Sequence, residues 1–175
     1  PDGVVRALHA RGGVLYAGGE FTHMDQQARN RLAAFSLISR QLASWNPDAD
    51  GPVHALASLV TPLPDSARFA TPDTGIVTIY AGGDFDTVGG LARPRIAAIS
   101  AATGAPTAWV PTGGDGRVLA ILPTPAFVYA GGQFTTLGGV VASHLARLHT
   151  TTGVGDAGWI PNPDGEVRAI QVGQG

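Results

Sequence analysis

A seven-residue motif that occurs three times along the chain is the strongest constraint on its fold. The motif Tyr-Ala-Gly-Gly-x-Phe-x occupies residues 16–22, 80–86 and 129–135, so successive copies lie 64 and 49 residues apart. A Trp-x-Pro triplet and an Asp-Gly pair recur in the same phase, and the pair has a fourth copy at Asp164-Gly165. Three independent markers in one phase establish an internal sequence repeat, which is typical of a repeat architecture.

The repeat divides the 175 residues into three units and the start of a fourth. We expect a first unit at residues 2–49, a second at 50–114, a third at 115–163, and the first strand of a fourth at 164–175. The second unit is the longest because residues 58–75 are inserted in it. The prolines of this insertion predict a loop that leaves a hairpin.

Each unit contains four short apolar segments, which are separated by turns that carry Gly and Asp. In the first unit these segments are residues 5–9, 14–18, 31–35 and 42–45, and no stretch keeps a helical apolar period for more than two turns. The pattern predicts an all-β chain of β-propeller-type repeats of about 49 residues, with four antiparallel strands per blade and three blades plus one strand. A β-solenoid is the alternative, although its rungs are usually shorter than these units.

The glycines and aromatic residues of the motifs are predicted to have structural roles. Paired glycines suit a close approach between strands, where a Cβ would clash, and the following Phe is expected between blades. Each Trp either packs at a strand end beneath the Pro turn or forms a platform on which a sugar stacks. The positions are Gly18, Gly19, Phe21, Trp45, Gly82, Gly83, Phe85, Trp109, Gly131, Gly132, Phe134 and Trp159.

Charge matching predicts contacts between the second and third strands of each unit. The residue after each Gly-Gly and the first residue of the third strand form three combinations, in which an acid accompanies Arg twice and an amide accompanies His once. Because opposite charges on neighbouring strands attract, we predict that each pair meets across the sheet. The pairs are Glu20 with Arg31, Asp84 with Arg95, and Gln133 with His144.

The turn at residues 46–51 is the sharpest candidate for a metal site. Asn46, Asp48 and Asp50 alternate and a glycine follows them, as at the opening of a Ca²⁺ loop. The twelfth position of an EF-hand loop would be Ala57 rather than Glu, which excludes an EF-hand. The equivalent turns lose the spacing, so an Asp-Gly turn capped by its own side chain is the competing explanation. Calcium at this turn aside, we expect no cofactor.

Composition excludes several classes of function. A net charge of −2 with 14% charged residues gives no electrostatic footprint for nucleic acid or an anionic membrane, and no apolar run is long enough to span a bilayer. The absence of Cys removes disulfides, zinc thiolates and thiol catalysis, and all 11 basic residues are Arg. No nucleophile motif is present and the five His are scattered, so we expect no enzyme activity.

The motifs together resemble the delta-60 repeat family of secreted bacterial β-propeller-like proteins, and they are similar to repeats of fungal cell-surface polarity markers. The resemblance rests on Tyr-Ala-Gly-Gly-x-Phe, on Trp-x-Pro with Asp-Gly-x-Val-x-Ala-Leu, and on the Gly-Gly loops at 89–90 and 138–139. It implies a secreted or surface-attached, non-catalytic propeller. The first copy departs from the family pattern because residues 23–27 replace the glycine turn with bulkier polar residues.

Three functions remain open at the level of sequence. The chain is expected to be a non-catalytic extracellular structural or binding module, as a fragment of a longer repeat protein or as one that assembles with other copies. A propeller usually needs four to eight blades to close, so three blades and a strand leave edges that invite assembly. The alternatives are a glycan-binding or glycan-cleaving propeller and a self-assembling fibre or sheath subunit. A protein partner is expected, with glycan as the alternative, and neither nucleic acid nor membrane insertion.

Overall fold

The all-β prediction is confirmed. The computed structural model describes residues 1–63 and 75–173, and within these residues it contains 15 strands and no helix. All strand pairs are antiparallel. The strands form three sheets of three strands and three small hairpins of two strands.

Each of the three larger sheets has its second strand in the middle. Sheet 1 contains β1 (Val5–Arg11), β2 (Val14–Gly19) and β5 (Leu32–Ser36). Sheet 2 contains β6 (Val53–Pro62), β7 (Gly75–Gly83) and β10 (Ile96–Ser100). Sheet 3 contains β11 (Arg117–Pro123), β12 (Phe127–Gln133) and β15 (Leu145–His149).

A two-strand hairpin separates the second and third strands of every sheet. The hairpins are β3 (His23–Met24) with β4 (Gln27–Ala28), β8 (Thr87–Val88) with β9 (Leu91–Ala92), and β13 (Thr136–Leu137) with β14 (Val140–Val141). Their two-residue turns have positive φ at both positions, as tight hairpins with right-handed strand twist require. Sequence analysis predicted loops here because segments of two residues carry no detectable periodicity.

The prediction of four strands per unit is wrong in the described structure. Fourth strands were predicted at residues 42–45, 107–110 and 157–160, but the chain here contributes only one isolated bridge to each sheet, at or just before the predicted segment: Phe35 with Leu42, Ile99 with Pro106, and Leu148 with Gly155. A proline has no N–H to donate and a glycine has no side chain to pack, so two of these three bridging positions are poor strand formers.

Two further predictions about strand ends need correction. Residues 165–172 were expected to form the first strand of a fourth unit, but within the described residues they join no ladder. The predicted loop at 58–75 is partly strand, because β6 continues to Pro62 and β7 begins at Gly75 in register with it. Residues 64–74 of that prediction lie outside the described residues.

The three sheets are joined face to face in chain order. The first strand of sheet 2 packs on β1 and β2, and the first strand of sheet 3 packs on β6 and β7. Tyr16, Ala34 and Trp45 of one face of sheet 1 share a buried cluster with Ile79 and Ile99 of sheet 2. The corresponding face of sheet 2 shares a second cluster with the next sheet, through Tyr80, Ala98, Trp109, Val128, Ala146 and Leu148.

The first glycine of each Gly-Gly pair creates the contact between successive sheets. A Cβ on Gly18 would lie 2.6 Å from the Val53 side chain, and one on Gly82 would lie 2.6 Å from the Val118 side chain. Real Cβ atoms do not approach other carbons this closely, so the valine of the next first strand occupies the space that a side chain would fill. The sheets can therefore stack only where glycine holds this position.

The second glycine of each pair lets the chain fold back on its own first strand. A Cβ on Gly19, Gly83 or Gly132 would lie 2.0–2.1 Å from the carbonyl oxygen of Val4, Pro52 or Arg117, respectively. The ladder of the first and second strands also shifts register here, between Val5 and Ala7 and at the equivalent points of the other sheets. A β-bulge of this kind needs a glycine opposite it.

The glycine of the Asp-Gly pair provides a matched test of these contacts. A Cβ on Gly51 would lie 2.8 Å from the Asp84 carbonyl oxygen, whereas nothing lies within 4 Å of the same point on Gly165. We expect Gly51→Ala to lower the free energy of unfolding by about 1–3 kcal/mol, as overpacking does, and Gly165→Ala to change it by less than about 0.5 kcal/mol. Urea unfolding followed by tryptophan fluorescence measures both, and equal effects would contradict the assignment.

The turn of the β3–β4 hairpin carries strain that the other hairpins avoid. Asp25 and Gln26 have φ of 49° and 61°, where the other two hairpins have glycines. We expect Gln26→Gly to raise the free energy of unfolding by about 1 kcal/mol, because an L side chain is disfavoured in the left-handed region. Gln27→Gly is the control and should destabilise, since it loosens an extended residue. Thermal unfolding that shows the opposite order would refute this interpretation.

Candidate functional site

Residues at one position of the Asp-Gly-x-Val-x-Ala motif converge on a shared pocket. Arg6, His54, Leu119 and Arg168 each follow the motif valine, and together they line a cavity of about 200 Å³. A hydrogen bond of 2.8 Å between His9 Nε2 and Ser58 Oγ also joins the first strands of sheets 1 and 2. The first strands therefore lie side by side, with this position facing a common centre, which we call the axial pocket.

Two charged residues of the axial pocket, Arg6 and His54, are paired with the residue that follows Gly-Gly. The Arg6 guanidinium lies 2.5 Å from the Glu20 carboxylate, and His54 Nε2 lies 2.9 Å from Asp84 Oδ2. Arg117 Nε adds a longer contact of 3.6 Å to Asp84. Where the first-strand residue is the neutral Leu119, the residue after Gly-Gly is the neutral Gln133. Charge is thus matched between the first and second strands.

This geometry corrects the predicted charge pairs. Within the described residues, Glu20 and Asp84 form their ion pairs with first-strand residues rather than with Arg31 and Arg95. The Arg95 guanidinium instead donates to the Asp84 main-chain oxygen at 2.6 Å and lies 3.3 Å from the Asp86 carboxylate. His144 contacts the Gly132 carbonyl oxygen at 3.2 Å through Nδ1.

A backbone constraint explains why the predicted pairs do not form. Arg31, Arg95 and His144 have φ of 61°, 68° and 63°, so all three lie in the left-handed region just before the third strand. Their side chains leave the chain in a direction that an extended strand would not give. The sequence alone predicted extended residues here.

The aspartate of each Asp-Gly pair fastens the loop that follows Gly-Gly-x-Phe. Asp2 accepts hydrogen bonds from the Thr22 hydroxyl at 2.5 Å and from the main-chain N–H groups of Thr22 and His23. Asp115 accepts from Thr135 and Thr136 in the same way. The carboxylates therefore hold the start of each small hairpin against the first strand.

These hydrogen bonds favour the ionised carboxylates. The Thr22 hydroxyl and then the His23 N–H hold the pKa of Asp2 well below its usual range. Burial alone would raise the pKa of Asp115, but the Thr135 hydroxyl and the Thr136 N–H outweigh it and lower the pKa to about 2. For Asp50, burial also opposes the shift, and the N–H groups of Thr87 and Asp86 lower the pKa.

The calcium candidate is built differently from a cation site. Oδ1 of Asp50 accepts the N–H groups of Asp86 and Thr87 at 2.8 and 3.0 Å. Oδ1 of Asp48 accepts the Asn30 side-chain amide at 2.8 Å. Within residues 1–63 and 75–173, no group of three His, Cys, Asp or Glu side chains is placed to hold a metal ion. Asp50 therefore caps the separate loop at residues 86–87, and not the turn of its own Asp-Gly pair as the competing explanation predicted.

The repeated tryptophans lie between sheets rather than on a surface. Trp45 and Trp109 are 5% exposed, and their indole N–H groups donate at 3.0 Å to the carbonyl oxygens of Ser100 and His149 in the next sheet. Each ring also meets the motif tyrosine of its own sheet edge to face, at 5.1 and 5.3 Å between centroids. Burial excludes Trp45 and Trp109 as platforms for sugars.

Trp159 differs because no further sheet follows it in the described structure. Its ring meets Tyr129 at 5.3 Å in the same edge-to-face geometry, yet it is only partly buried. Within the described residues its indole N–H has no acceptor equivalent to those of Ser100 and His149. Trp159 lines a largely apolar groove of about 580 Å³ together with Leu122, Tyr129, Leu145, Val167 and Ile170.

An ion pair replaces small residues on this face of sheet 3. The Arg147 guanidinium lies 2.6 Å from Asp156, where sheet 1 pairs Ala34 with Ala43 and sheet 2 pairs Ala98 with Thr107. It also lies over the rings of Phe127 and Trp159, at 4.5 and 5.3 Å from their centroids. Arg147 thus covers aromatic surface with a charged group, as a solvent-facing sheet requires.

Sequence reasoning missed a buried arginine, Arg93, and its half-buried equivalent, Arg29. Arg93 is 6% exposed and donates to the carbonyl oxygens of Ala92 and Thr107 at 2.7 Å, and Arg29 does the same with Ala28 and Ala43. Burial lowers the pKa of Arg93. Each arginine ties a small hairpin to the segment that leads to the buried tryptophan. Their equal spacing from the Gly-Gly pairs was the available signal.

Comparison with known proteins adds nothing to this geometry. No family model matches the chain, and neither a curated protein nor a solved structure matches it. Among the described residues no helix is long and apolar enough to cross a bilayer.

The fourth copy of the Asp-Gly motif provides a control for the carboxylate anchors. We expect Asp115→Asn to lower the free energy of unfolding at pH 7 by about 1 kcal/mol, because an amide accepts the Thr135 and Thr136 hydrogen bonds more weakly. Asp164→Asn removes a carboxylate that anchors no loop in the described structure and should change it by less than about 0.5 kcal/mol.

The same anchor predicts a pH dependence. A folded-state pKa of about 2, below the ordinary value of 3.8, stabilises the fold above pH 4, and this contribution is lost as the pH falls towards 2. Urea unfolding between pH 5 and pH 2 should therefore show a shallower loss of stability for Asp115→Asn than for the unmodified chain. Parallel pH profiles would contradict the role of Asp115.

Proposed function

We propose that this chain is a non-catalytic structural and protein-binding module, built from β-propeller-type repeats and active outside the cell. The observation that carries the proposal is that both ends of the stack of sheets present unmatched halves of the interface that joins the sheets. Sheet 1 leaves Val5 exposed, whereas the equivalent Val53 and Val118 are fully buried against the preceding sheet. It also leaves Leu8 exposed, whereas the equivalent Leu56 and Ile121 are half-buried. Sheet 3 leaves the groove beside Trp159.

The axial pocket supports the propeller-type arrangement within this proposal. In a propeller, the first strand of each blade lines a central channel, so equivalent residues of successive blades face the same space. Arg6, His54, Leu119 and Arg168 fulfil this condition. The number of blades in the complete assembly depends on the partner that covers the open faces.

The contacts that the charged residues make support a non-catalytic role. Arg6 and His54 face carboxylates within hydrogen-bond distance, and the carboxylates of Asp2, Asp50 and Asp115 accept hydrogen bonds from loop N–H groups. Groups held in this way stabilise the fold and leave little capacity to transfer protons or bind a metal ion. We accordingly include in the proposal that no cofactor is required.

A glycan-binding function receives less support from the structure. Its evidence in the sequence was the row of tryptophans, and two of the three are buried between sheets with their N–H groups bound to the protein. The secreted location within the proposal comes from the resemblance of the motifs and from the absence of Lys and Cys.

The proposal predicts that the open faces bind an apolar probe. At dilute concentration the chain should enhance the fluorescence of anilinonaphthalene sulfonate, and Leu8→Glu should reduce this enhancement because Leu8 is 62% exposed on the end face. Leu91→Glu is the control, since Leu91 is also exposed but lies in the β8–β9 hairpin. Absence of dye binding by the folded chain would contradict the proposal.

A further inference from the structure

The segment 164–172 retains a motif whose residues have no local role in this structure. Asp2, Asp50 and Asp115 each anchor a loop, and the glycines that follow them lie against main chain at 1.9–2.8 Å from a hypothetical Cβ. Gly165 has nothing within 4 Å of that point, and the described residues include no loop anchored by Asp164. The motif is complete, but it holds no hairpin within residues 1–63 and 75–173.

The segment is nevertheless docked in the orientation of a first strand. A Cβ on Gly131 would lie 2.5 Å from the Val167 side chain, as for Gly18 with Val53 and Gly82 with Val118. The Val167 N–H also donates to the Gly132 carbonyl oxygen at 3.3 Å. Sheet 3 therefore positions the segment as sheets 1 and 2 position β6 and β11, and its free edge is ready to receive a second strand.

Among the first strands, β1 is the least securely held. Val5 and Leu8 are 37% and 62% exposed because no sheet precedes β1, while Val53 and Val118 are fully buried. An exposed strand at the edge of a sheet opens at low cost and can be replaced by an equivalent strand.

Charge identifies β2 as the partner of the segment. Of the four copies of the motif, two have arginine after the valine, at Arg6 and Arg168, while β6 and β11 have His54 and Leu119. In sheet 1 the arginine pairs with Glu20 at 2.5 Å. Arg168 is 81% exposed and contacts Glu166 of its own segment, so it has no acidic partner across a ladder within the described residues.

From these observations we infer that the segment 164–172 of one copy replaces β1 in sheet 1 of a second copy and pairs with its β2. The inference rests on the proposed function and names its partner, a second copy of this chain joined head to tail. The register follows from β1 itself, where Leu8 lies opposite Ala17 and Val5 opposite Gly19. Ile170 and Val167 take these places.

The exchange gives a partner to each of three groups: the Asp164 carboxylate, the Arg168 guanidinium and the Trp159 indole N–H. Asp164 gains the Thr22 and His23 N–H groups that Asp2 uses, and Arg168 gains Glu20. The indole N–H of Trp159 reaches the Ser36 carbonyl oxygen, the equivalent of Ser100 and His149 in the internal contacts. Main-chain pairing with a free edge is a common mode of protein recognition.

The contact between copies differs from the internal ones at Arg147 and Asp156. Their ion pair lies where sheets 1 and 2 have small residues, so it keeps the open face compatible with water. On docking, the pair must lose water, which makes this junction weaker than the internal contacts. Replacing both residues with alanine restores the small pair of sheet 1 and should strengthen the association.

Engineered cysteines test the exchange directly, because the chain has no cysteine of its own. Ala17→Cys with Ile170→Cys places the two thiols opposite each other only in the exchanged ladder. We expect oxidation to produce disulfide-linked dimers and higher multiples on non-reducing gels. Ala17→Cys with Ala169→Cys is the control, because the neighbouring residue points to the other face of the strand.

A charge swap tests the partner of Arg168 independently. In sedimentation equilibrium, Arg168→Glu should lower the association constant by at least about tenfold through repulsion from Glu20, whereas Arg11→Glu should change it less than about threefold. Combining Arg168→Glu with Arg6→Glu and Glu20→Arg keeps the internal pair and should restore association. Circular dichroism verifies that every variant is folded.

The outcomes separate this inference from the proposed function. The chain could associate while the cysteine pair forms no disulfide-linked multiples and the charge swap leaves the association constant unchanged. In that case the strand exchange is wrong and the partner binds elsewhere on the open faces. If the chain stays monomeric at every concentration while the dye still binds, a second copy is not the partner and the proposed function stands. Loss of both dye binding and association overturns both.

Discussion

The stacking of valine on glycine between successive sheets is the contact on which the rest of the structure depends. Gly18 and Gly82 leave no room for a Cβ because Val53 and Val118 occupy that space. Once these contacts are made, the first strands lie side by side, and the tyrosine and tryptophan of one sheet are enclosed by the next. The buried indole N–H groups then find carbonyl acceptors across the junction, which removes the cost of burying an unpaired donor.

The same arrangement engages many of the charged side chains in contacts within the fold. The carboxylates of the Asp-Gly pairs accept loop N–H groups, Glu20 and Asp84 neutralise first-strand cations, and Arg93 is buried among carbonyl oxygens. At the two ends of the stack, Val5 and Leu8 stay exposed and the groove beside Trp159 stays open. The open end faces are therefore the surfaces that a partner would cover. In the proposed assembly this partner is another copy of the chain.

The sequence predicted the parts of the fold that are governed by periodicity and steric fit. The first three strands of each unit are short apolar segments bounded by turn residues, and the Gly-Gly pairs suit a close approach between strands. The small hairpins were missed because two residues cannot show a period. The fourth strands were overpredicted because the short apolar segments at 42–45, 107–110 and 157–160 do not form ladders in the described structure.

The charge pairs show a different limit of sequence reasoning. Both Arg31 and Arg6 are plausible partners for Glu20 by charge, and the choice between them depends on the left-handed backbone at Arg31, which no composition rule reveals. The joint change to Leu119 and Gln133 in the third unit was the one informative signal, since neutral residues replace both members together. Likewise, the open space around Gly165 became informative only by comparison with the close contacts around Gly51.

In the proposed assembly, each open end face of the stack is covered by another copy of this chain. The most direct test is the solution mass of the unmodified chain by multi-angle light scattering over a wide concentration series. If copies join head to tail, the mass rises with concentration above 17.8 kDa, in multiples of one chain. A mass that stays at 17.8 kDa throughout would contradict this assembly.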